Sequence, residues 1–314
     1  MSEQYIYSEI FHSFQGEGLK TGTNTAWVRL FNCNLNCHGF MQKDPTDPST
    51  YELPYQDFDP STVERLEDLP VWSKGCDSSY SWARQFKDLN HKATGEEIAE
   101  RIMEMLTNDD NPYGTFVHER SKQPTDLCFT GGEPMLPKNQ RAMLDIVSSF
   151  ETIAGGPVKH YPTMRLAHNL PPSITLETNG TQKIREAGQQ LFHKQQFYGN
   201  EVFFSVSPKL FTVSGEKPEL AIKPDIIRSY YDTSKSGQLK FVVGNEDRQW
   251  EELDRVIGQM RDAGVEYPVS IMPVGALDSQ QDQVAAAVSD RALARGFHVS
   301  ARVHTYVYGN HIGT

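Results

Sequence analysis

The segment Arg29-Leu-Phe-Asn-Cys33-Asn-Leu-Asn-Cys37 places two cysteines on one short loop at the end of an apolar run. The polar Asn-Leu-Asn between them disfavours a buried apolar role, so the pair indicates a metal site. Further along, Thr130-Gly131-Gly132-Glu133-Pro134 closes another apolar run. Its glycines allow a ligand to approach the backbone closely, and its carboxylate can receive an ammonium group. Together the two motifs predict an iron–sulfur cluster that faces a small charged ligand.

Length and composition favour a folded chain, because 314 residues suffice for one large domain or two ordinary ones. The net charge of −11 argues against a nucleic-acid coat, since phosphate binding needs a basic surface. The first residues lack the features of a signal peptide, and no apolar run approaches the roughly 20 residues of a membrane span. Four cysteines are too few for a disulfide framework in this chain, so we expect metal-bound thiolates in a reducing cytoplasm.

Apolar β-branched runs alternate with helical patterns, which predicts an α/β fold with a parallel sheet and helices outside it. In residues 95–106, for example, Ile98 and Ile102 share one helical face, and Thr94 with Glu97 predicts a capping box. Six or seven strands favour a full or partial (β/α) barrel, with a doubly wound sheet as the alternative. The predicted strands cover residues 25–31, 126–129, 173–177, 201–206, 238–243, 269–272 and 298–303. The predicted helices cover residues 95–106, 138–150, 182–195, 247–263 and 278–295.

Three polar segments that contain proline interrupt this alternation and are predicted to be inserted loops. They cover residues 41–74, 108–124 and 209–236. We expect residues 1–314 to form a single domain, with the insertion at about 41–74 separating the second and third cysteines of the metal site. The motifs that follow the strands should meet at one edge of the sheet, because the carboxyl ends of parallel strands lie together.

The third thiolate of the site is the open question, because the obvious position after Cys37 is occupied by Phe40. Cys76 can return beside Cys37 if the insertion loops out, since the entropic cost of loop closure grows slowly with length. Three thiolates on a cubane cluster leave one iron open to chelate an amine and a carboxylate. Two alternatives remain. One is a closed Cys3His zinc site that includes His38. The other is Cys128 as third ligand, although its place inside an apolar strand favours a core role.

Other polar motifs near strand ends are candidates for binding a small polar ligand. Ser13-Phe14-Gln15-Gly16-Glu17-Gly18 precedes the first predicted strand and can offer amide and carboxylate groups to the edge of a heterocycle. Arg29 is either paired within its strand or a bidentate clamp for a carboxylate. Ser207-Pro208-Lys209 offers a hydroxyl and a cation, and Glu177 can bind a ribose hydroxyl pair. Two further polar residues are interpreted as structural, namely Lys240 and His304.

The cysteine loop and the Gly-Gly-Glu-Pro turn together resemble the radical S-adenosylmethionine (SAM) superfamily. The full set of motifs more specifically resembles the 7-carboxy-7-deazaguanine synthase family. In chain order these motifs are Ser13 to Gly18, Arg29, Cys33 to Cys37, Cys76-Asp-Ser, Thr130 to Pro134, Glu177-Thr-Asn-Gly and Ser207-Pro-Lys. That family usually has its third cysteine close after the second, followed by Asp-Thr. Here Cys76-Asp77-Ser78 resembles this element, displaced by the insertion.

The resemblance implies a role for each matching position. The [4Fe–4S] ligands would be Cys33, Cys37 and Cys76, and Ser78 would bind Mg²⁺ in place of the family threonine. The SAM contacts would be Asp77, Ser78, Ser79, Gly132, Glu133, Glu177, Ser207, Pro208 and Lys209, with the turn from Met272 to Gly275 as a further one. The substrate contacts would be Phe14, Gln15, Gly16, Glu17, Arg29, Thr130 and the terminal carboxylate of Thr314. No catalytic side chain beyond the cluster ligands is expected.

The resemblance also implies a truncated, partial (β/α) barrel of the radical SAM type with inserted loops, a homodimer and a separate protein that donates electrons. In the family's reaction, the reduced cluster cleaves SAM, and the resulting radical abstracts hydrogen from 6-carboxy-5,6,7,8-tetrahydropterin. The ring contracts with loss of ammonia to 7-carboxy-7-deazaguanine, in queuosine-type biosynthesis, with Mg²⁺ holding the substrate carboxylate. Direct contact with nucleic acid or membrane is not expected. Two alternatives stay open: a radical SAM activase that acts on a glycine of a partner protein, and a non-catalytic zinc-binding module.

Overall fold

The computed structural model describes residues 2–155 and 170–313. Within them, nine strands form one sheet in the order β3-β1-β2-β4-β5-β6-β7-β8-β9. Strand β1 pairs antiparallel with β2 and β3, and all other neighbours are parallel. The strands are β1 Gln4–Phe14, β2 Asn24–Leu30, β3 His91–Thr94, β4 Asp126–Gly131, β5 Ser173–Thr178, β6 Glu201–Val206, β7 Gly237–Val243, β8 Val269–Pro273 and β9 His298–Val299. The predicted α/β class with a mostly parallel sheet is confirmed.

Helices connect the parallel strands and cover the apolar side of the sheet. In the described residues they are α1 Pro54–Asp57, α2 Gly95–Leu106, α3 Pro137–Gly155, α4 Glu186–Phe197, α5 Phe211–Ser214, α6 Pro218–Ala221, α7 Pro224–Thr233, α8 Asp247–Asp262, α9 Asp278–Leu293 and α10 Val303–Tyr308. The predicted capping box of α2 is present, with Thr94 and Glu97 each accepting a backbone N–H. No helix in residues 2–155 and 170–313 is both long and apolar enough to cross a membrane.

The two sides of the sheet differ in polarity, because successive side chains of a strand point in opposite directions. Ile174 and Leu176 of β5 belong to the main apolar core. The residues that alternate with them are polar: Lys20 donates to Thr175, and Glu177 lines a cavity. Strand β7 repeats the pattern, with Lys240 on the cavity side. The inner side of the sheet can therefore form a polar binding site, while the outer side stabilises the fold.

The turn between β1 and β2 lies against the far end of the sheet, so the sheet is strongly curved. The Gly18 amide donates to Ser300 Oγ at 2.5 Å, and the Leu19 amide donates to Gln238 Oε1 at 3.1 Å. Ser300 directly follows β9, and Gln238 lies at the start of β7. Strands β3 and β9 remain edge strands within the described residues, so the barrel is partial, as predicted.

Two strands were missed by the sequence analysis. In β1 the pairing register shifts between Tyr7 and Glu9, which breaks the alternation that marks a strand. Strand β3 has only four residues and two of them are exposed, so it carries no apolar signal. The structure therefore corrects one placement: Ser13 and Phe14 end β1, and the glycine motif forms the turn after the first strand.

Two further predictions about elements were wrong. The last predicted strand, residues 298–303, is only the two-residue β9, and α10 begins at Val303. Residues 209–236 are not a plain loop but contain α5, α6 and α7. These helices have four to ten residues, too few to show a helical periodicity. Helices α6 and α7 begin at Pro218 and Pro224, whose fixed φ suits a first helical turn.

The 41–74 insertion has its own small apolar cluster beside the main core. Tyr55, Leu66, Leu69 and Trp72 of the insertion pack with Phe86, which lies beyond Cys76. The segment consists of short 3-10 turns and α1, which agrees with its proline content. The division of residues 1–314 into a single domain with this insertion stays a prediction.

Candidate functional site

A cavity of about 280 Å³ opens at the carboxyl ends of the strands, inside the curve of the sheet. Most of the predicted site residues line it. Those with a predicted metal or SAM role are Cys33, Cys37, Cys76, Asp77, Ser78, Gly132, Glu177, Ser207 and Lys209, together with the turn from Met272 to Gly275. Those with a predicted substrate role are Phe14, Gln15, Gly16, Glu17, Arg29 and Thr130. The structure thus brings together motifs as far apart in the chain as Phe14 and Gly275, as the rule for parallel sheets predicts.

The insertion closes on itself, and this returns Cys76 to the first two cysteines. The Gly75 amide donates to the Phe40 carbonyl at 2.8 Å, which joins the two ends of the insertion. Cys33, Cys37 and Cys76 pack in one small apolar cluster with Leu35 and Phe40. We call these three cysteines the cysteine side of the cavity.

Cys128 lies elsewhere, fully buried within β4, in agreement with the core role favoured for it. His38 is also turned to other partners, because its Nε2 lies 2.9 Å from the Tyr55 hydroxyl. Among residues 2–155 and 170–313, no group of three or more His, Cys, Asp or Glu side chains is arranged to hold a single metal ion. A Cys3His zinc site is therefore not supported.

The donor set of the cysteine side fits an iron–sulfur cluster, in which each thiolate binds a different iron atom. Burial raises the pKa of Cys33 to about 12 and that of Cys76 to about 11. The thiols of the free chain are therefore neutral, and a metal must displace their protons. The cation of Lys209 opposes the burial effect on the pKa of these thiols and of Cys37. Whether the three cysteines bind iron stays a prediction.

A carboxylate from outside the motifs holds the cysteine loop. Glu216 Oε1 accepts from the amides of Asn36 and Cys37, at 2.7 and 2.6 Å. Glu216 lies between α5 and α6, in the region that the sequence analysis described as an insertion. Nothing in the local sequence marks it, because its partners are backbone groups 179 and 180 residues away.

The opposite wall of the cavity is built from buried ion pairs. Lys240 Nζ lies 2.6 Å from Glu17 Oε2 and 2.8 Å from Glu177 Oε2. Arg302 bridges the same Glu17, at 2.9 Å, to Asp77, at 2.8 Å. We call Glu17, Glu177, Lys240 and Arg302 the charged side of the cavity.

Electrostatics keep the charged side ionised despite its burial. Burial alone would raise the pKa of Glu17, but Lys240 and Arg302 hold it well below the ordinary value. In the same way Arg302 overcomes burial and lowers the pKa of Asp77. Burial is also expected to lower the pKa of Lys240, yet Glu17 and Glu177 raise it. Each charge therefore depends on its partners, because an isolated buried charge would be strongly unfavourable.

A third group of paired residues lies where β1 and β2 face the cavity. Arg29 Nε contacts Glu9 Oε1, and the Tyr80 hydroxyl donates to the same oxygen at 2.9 Å. The Gly313 amide donates to Glu9 Oε2 at 2.7 Å, so the end of the chain closes over this group. Of the two interpretations of Arg29, the paired one describes its present contacts. The register shift after Tyr7 explains how Glu9 reaches the cavity side.

Some predicted site residues do not face the cavity. The Glu133 carboxylate is fully buried and accepts from Thr178 Oγ1 at 2.6 Å and from the amides of Asn179 and Met135. These contacts tie the loop after β4 to the loop after β5. The predicted contact of the Glu133 carboxylate with an ammonium group stays a prediction. Two other residues with predicted contacts are not in the cavity wall, since Ser79 is fully buried and Pro208 is not among the lining residues. Thr314 lies outside the described residues.

Several residues of the site escaped the sequence analysis. Lys240 and His304 were interpreted as structural, but both line the cavity, and burial lowers the pKa of His304. Glu9 and Arg302 were not singled out at all. A lone charge within an apolar strand, as at Lys240, is the one signal that the sequence offered. The partners come from strands far apart in the chain, so their pairing cannot be read locally.

Comparisons with known proteins support the resemblance described above, although no family model matches the chain. A 7-carboxy-7-deazaguanine synthase of Rhodopirellula baltica is 22% identical over 310 residues, which covers 98% of this chain and 88% of the relative. The synthase of the same name from Pyrobaculum aerophilum is 22% identical over 307 residues, covering 96% and 94%. That of Hyperthermus butylicus is 24% identical over 249 residues, covering 79% and 69%.

A solved structure agrees with these relatives. The crystal structure of QueE from Escherichia coli matches the fold with a TM-score of 0.51 at 18% identity, covering 96% of this chain and 95% of that one. The resemblance to the 7-carboxy-7-deazaguanine synthase family is confirmed. The relatives are synthases by name, and the prediction that the chain is an enzyme is also confirmed.

Proposed function

We propose that this chain catalyses the radical SAM ring contraction of 6-carboxy-5,6,7,8-tetrahydropterin to 7-carboxy-7-deazaguanine, with loss of ammonia, in queuosine-type biosynthesis. One observation carries the proposal: three cysteines and a buried charged side line the same cavity. The near full-length similarity to synthases of that name supports the choice of substrate.

The cysteine side would hold the [4Fe–4S] cluster through Cys33, Cys37 and Cys76. When bound, the cluster supplies the electron that starts the radical reaction with SAM. A Cβ at Gly132 would clash with the backbone of Asn32 and Cys33, so a glycine here lets the loop after β4 pack directly on the cysteine loop, where its backbone would contact SAM. Lys209 and Ser207 line the cavity beside these groups and would bind the SAM carboxylate and hydroxyls.

The charged side would orient the pterin. Gln15 Nε2 donates to Glu177 Oε1 at 3.1 Å, and Glu17 accepts from Lys240 and Arg302. Carboxylates fixed in this way present acceptors to the ring N–H and amino groups of a heterocycle without moving, which is what precise placement of a hydrogen atom requires. Arg29 of β2 also lines the cavity, and it would pair with the substrate carboxylate together with Mg²⁺.

Ser78 is proposed as the Mg²⁺ ligand. Its hydroxyl lies 3.1 Å from Asp77 Oδ1, and both residues line the cavity next to Cys76. Oxygen ligands of this kind suit Mg²⁺, which usually keeps several waters and binds few protein groups. A reducing protein that donates electrons, a cytoplasmic location and a homodimer belong to the same proposal.

The test is an anaerobic assay of the reconstituted full chain with SAM and the pterin. We expect 7-carboxy-7-deazaguanine and ammonia in equal amounts, detected by mass spectrometry, from both the unchanged chain and Cys128→Ala. Cys76→Ala should give none. Cleavage of SAM without the deazaguanine product would overturn the substrate assignment in favour of another radical SAM enzyme. A colourless protein that contains zinc but no iron would overturn the radical chemistry altogether.

A further inference from the structure

The 41–74 insertion contributes the Tyr55 ring to a group of aromatic side chains beside the cysteine side. The indole ring of Trp82 lies 6.0 Å from the His38 ring and 5.7 Å from the Tyr55 ring, the latter at 69°. Tyr55 lies in α1 of the insertion, and its hydroxyl is 2.9 Å from His38 Nε2. The Trp82 ring thus packs against two neighbouring rings, which restricts the direction of its N–H.

That N–H is directed at a sulfur. Trp82 Nε1 donates to Cys76 Sγ at 3.4 Å, a distance suited to a hydrogen bond with sulfur. Trp82 is one of four tryptophans in the chain. Trp72 offers a contrast within the same apolar cluster, because its indole nitrogen is buried without a hydrogen-bond partner.

We propose that Trp82 sets the reduction potential of the iron–sulfur cluster through its hydrogen bond to Cys76, and that the insertion serves to hold Trp82 in place. The inference rests on the proposed function, since it requires the cluster. Reduction adds negative charge to a cluster and its thiolates, and a hydrogen bond to a ligand sulfur stabilises the more negative form. Trp82 therefore makes the cluster easier to reduce.

The position of the bond connects the proposal to the displaced cysteine. Cys33 receives the Leu35 amide at 3.4 Å, within the cysteine loop itself. Cys76 is separated from that loop by the insertion, and Trp82 follows it by only six residues, within the same turn-rich segment. The cluster ligand with the unusual chain position thus carries an indole donor, which the insertion supports through Tyr55.

The experiment compares the anaerobically reconstituted full chain with Trp82→Phe and with the matched control Trp72→Phe. Iron and sulfide are counted in each, and the midpoint potential is measured by a redox titration followed by electron paramagnetic resonance. Trp82→Phe should retain the iron and sulfide, and its equilibrium constant for reduction should fall about tenfold, which is about 59 mV toward more negative potential. Trp72→Phe should keep the potential of the unchanged chain.

A second measurement does not depend on the variant. The unchanged chain is labelled with ¹⁵N in the indole ring of tryptophan. Pulsed electron paramagnetic resonance of the reduced cluster should then show a magnetic coupling between the cluster and the ¹⁵N nucleus, and the coupling should persist in Trp72→Phe. If Trp82→Phe fails to take up iron, this coupling decides the matter: its presence supports the proposal and its absence overturns it.

The possible failures are distinguishable. If Trp82→Phe binds the cluster and has the same midpoint potential as the unchanged chain, the role of Trp82 is overturned while the proposed function stands. Failure of the unchanged chain to bind iron overturns both. Because a purely structural tryptophan would not move the potential or give a nitrogen coupling, the two readouts separate tuning from packing.

Discussion

The two sides of the cavity are stabilised in opposite ways. The cysteine side is an apolar pocket in which burial keeps the thiols neutral. The charged side is equally buried, but there every carboxylate has a cation within 3 Å. The first is therefore prepared for a partner that it does not contain, whereas the second is electrostatically complete.

This difference teaches how each side should respond to change. Removing a thiol leaves a small apolar gap that the fold tolerates, but it removes a ligand that nothing replaces. Removing a charge from the other side leaves its partners buried and uncompensated, which is costly for the fold itself. Variants of the cysteine side should thus lose iron, and variants of the charged side should lose stability.

The largest expected loss of stability is that of Lys240→Ala. The change leaves Glu17 facing Arg302 alone and Glu177 without a cation, so the free energy of unfolding should fall by about 3–5 kcal/mol. Urea denaturation of the metal-free chain measures it. Lys235→Ala is the control: that lysine is exposed and should change stability by less than about 0.5 kcal/mol. A loss for Lys240→Ala as small as that of the control would contradict the account of the charged side.

Glu216→Ala should affect both stability and metal binding. Two amides of the cysteine loop would lose a charged acceptor, at a cost of about 2 kcal/mol. The loosened loop should also bind iron more weakly, which a chelator competition would detect. Glu219→Ala, at an exposed position three residues further on, serves as control. Normal iron affinity in Glu216→Ala would mean that the loop keeps its shape without this clamp.

The charged side should also give the fold a defined acid limit. The pKa values of Glu17 and Asp77 are lower in the folded chain than in the unfolded chain. Their contribution is therefore complete above the unfolded values, about 4.3 and 3.9, and is lost as the pH falls below them. Unfolding curves between pH 6 and pH 3 should show this loss, and Asp77→Asn should make the dependence shallower. An unchanged slope in that variant would argue against the ion pair with Arg302.

The smallest expected loss of stability comes from a residue outside both sides of the cavity. Thr94→Ala removes the cap of α2 and should cost about 1 kcal/mol of stability with no change in iron content. Thermal unfolding and iron analysis of the same preparation measure the two quantities. We expect iron content to depend on the cysteine side and not on the outer helices, so a change in iron content in this variant would contradict that expectation.

The sequence predicted the cysteine side better than the charged side, for a physical reason. Cysteine spacing and Gly-Gly-Glu-Pro are local patterns, and loop closure made the return of Cys76 plausible without any knowledge of the fold. Lys240 and Arg302 can be recognised as site residues only through their ion pairs with Glu17. Glu17 lies more than 220 residues away, on a turn that crosses the curved sheet. Long-range charge pairing has no local signature.

Element prediction divides along similar lines. The central parallel strands and the amphipathic helix α2 were predicted because their periodicity is regular. Strand β1 was missed because its register shift interrupts the alternation, and the same shift brings Glu9 to the cavity. The irregularity that hid the strand is thus the feature that gives it a place in the site.

The most direct test of the central claim is to count iron and sulfide in Cys76→Ala beside Cys128→Ala after anaerobic reconstitution. The return of the insertion to the cysteine loop predicts that Cys128→Ala retains the full complement and Cys76→Ala loses it. Loss of the cluster from Cys128→Ala, with a normal cluster in Cys76→Ala, would contradict the assignment of the third ligand.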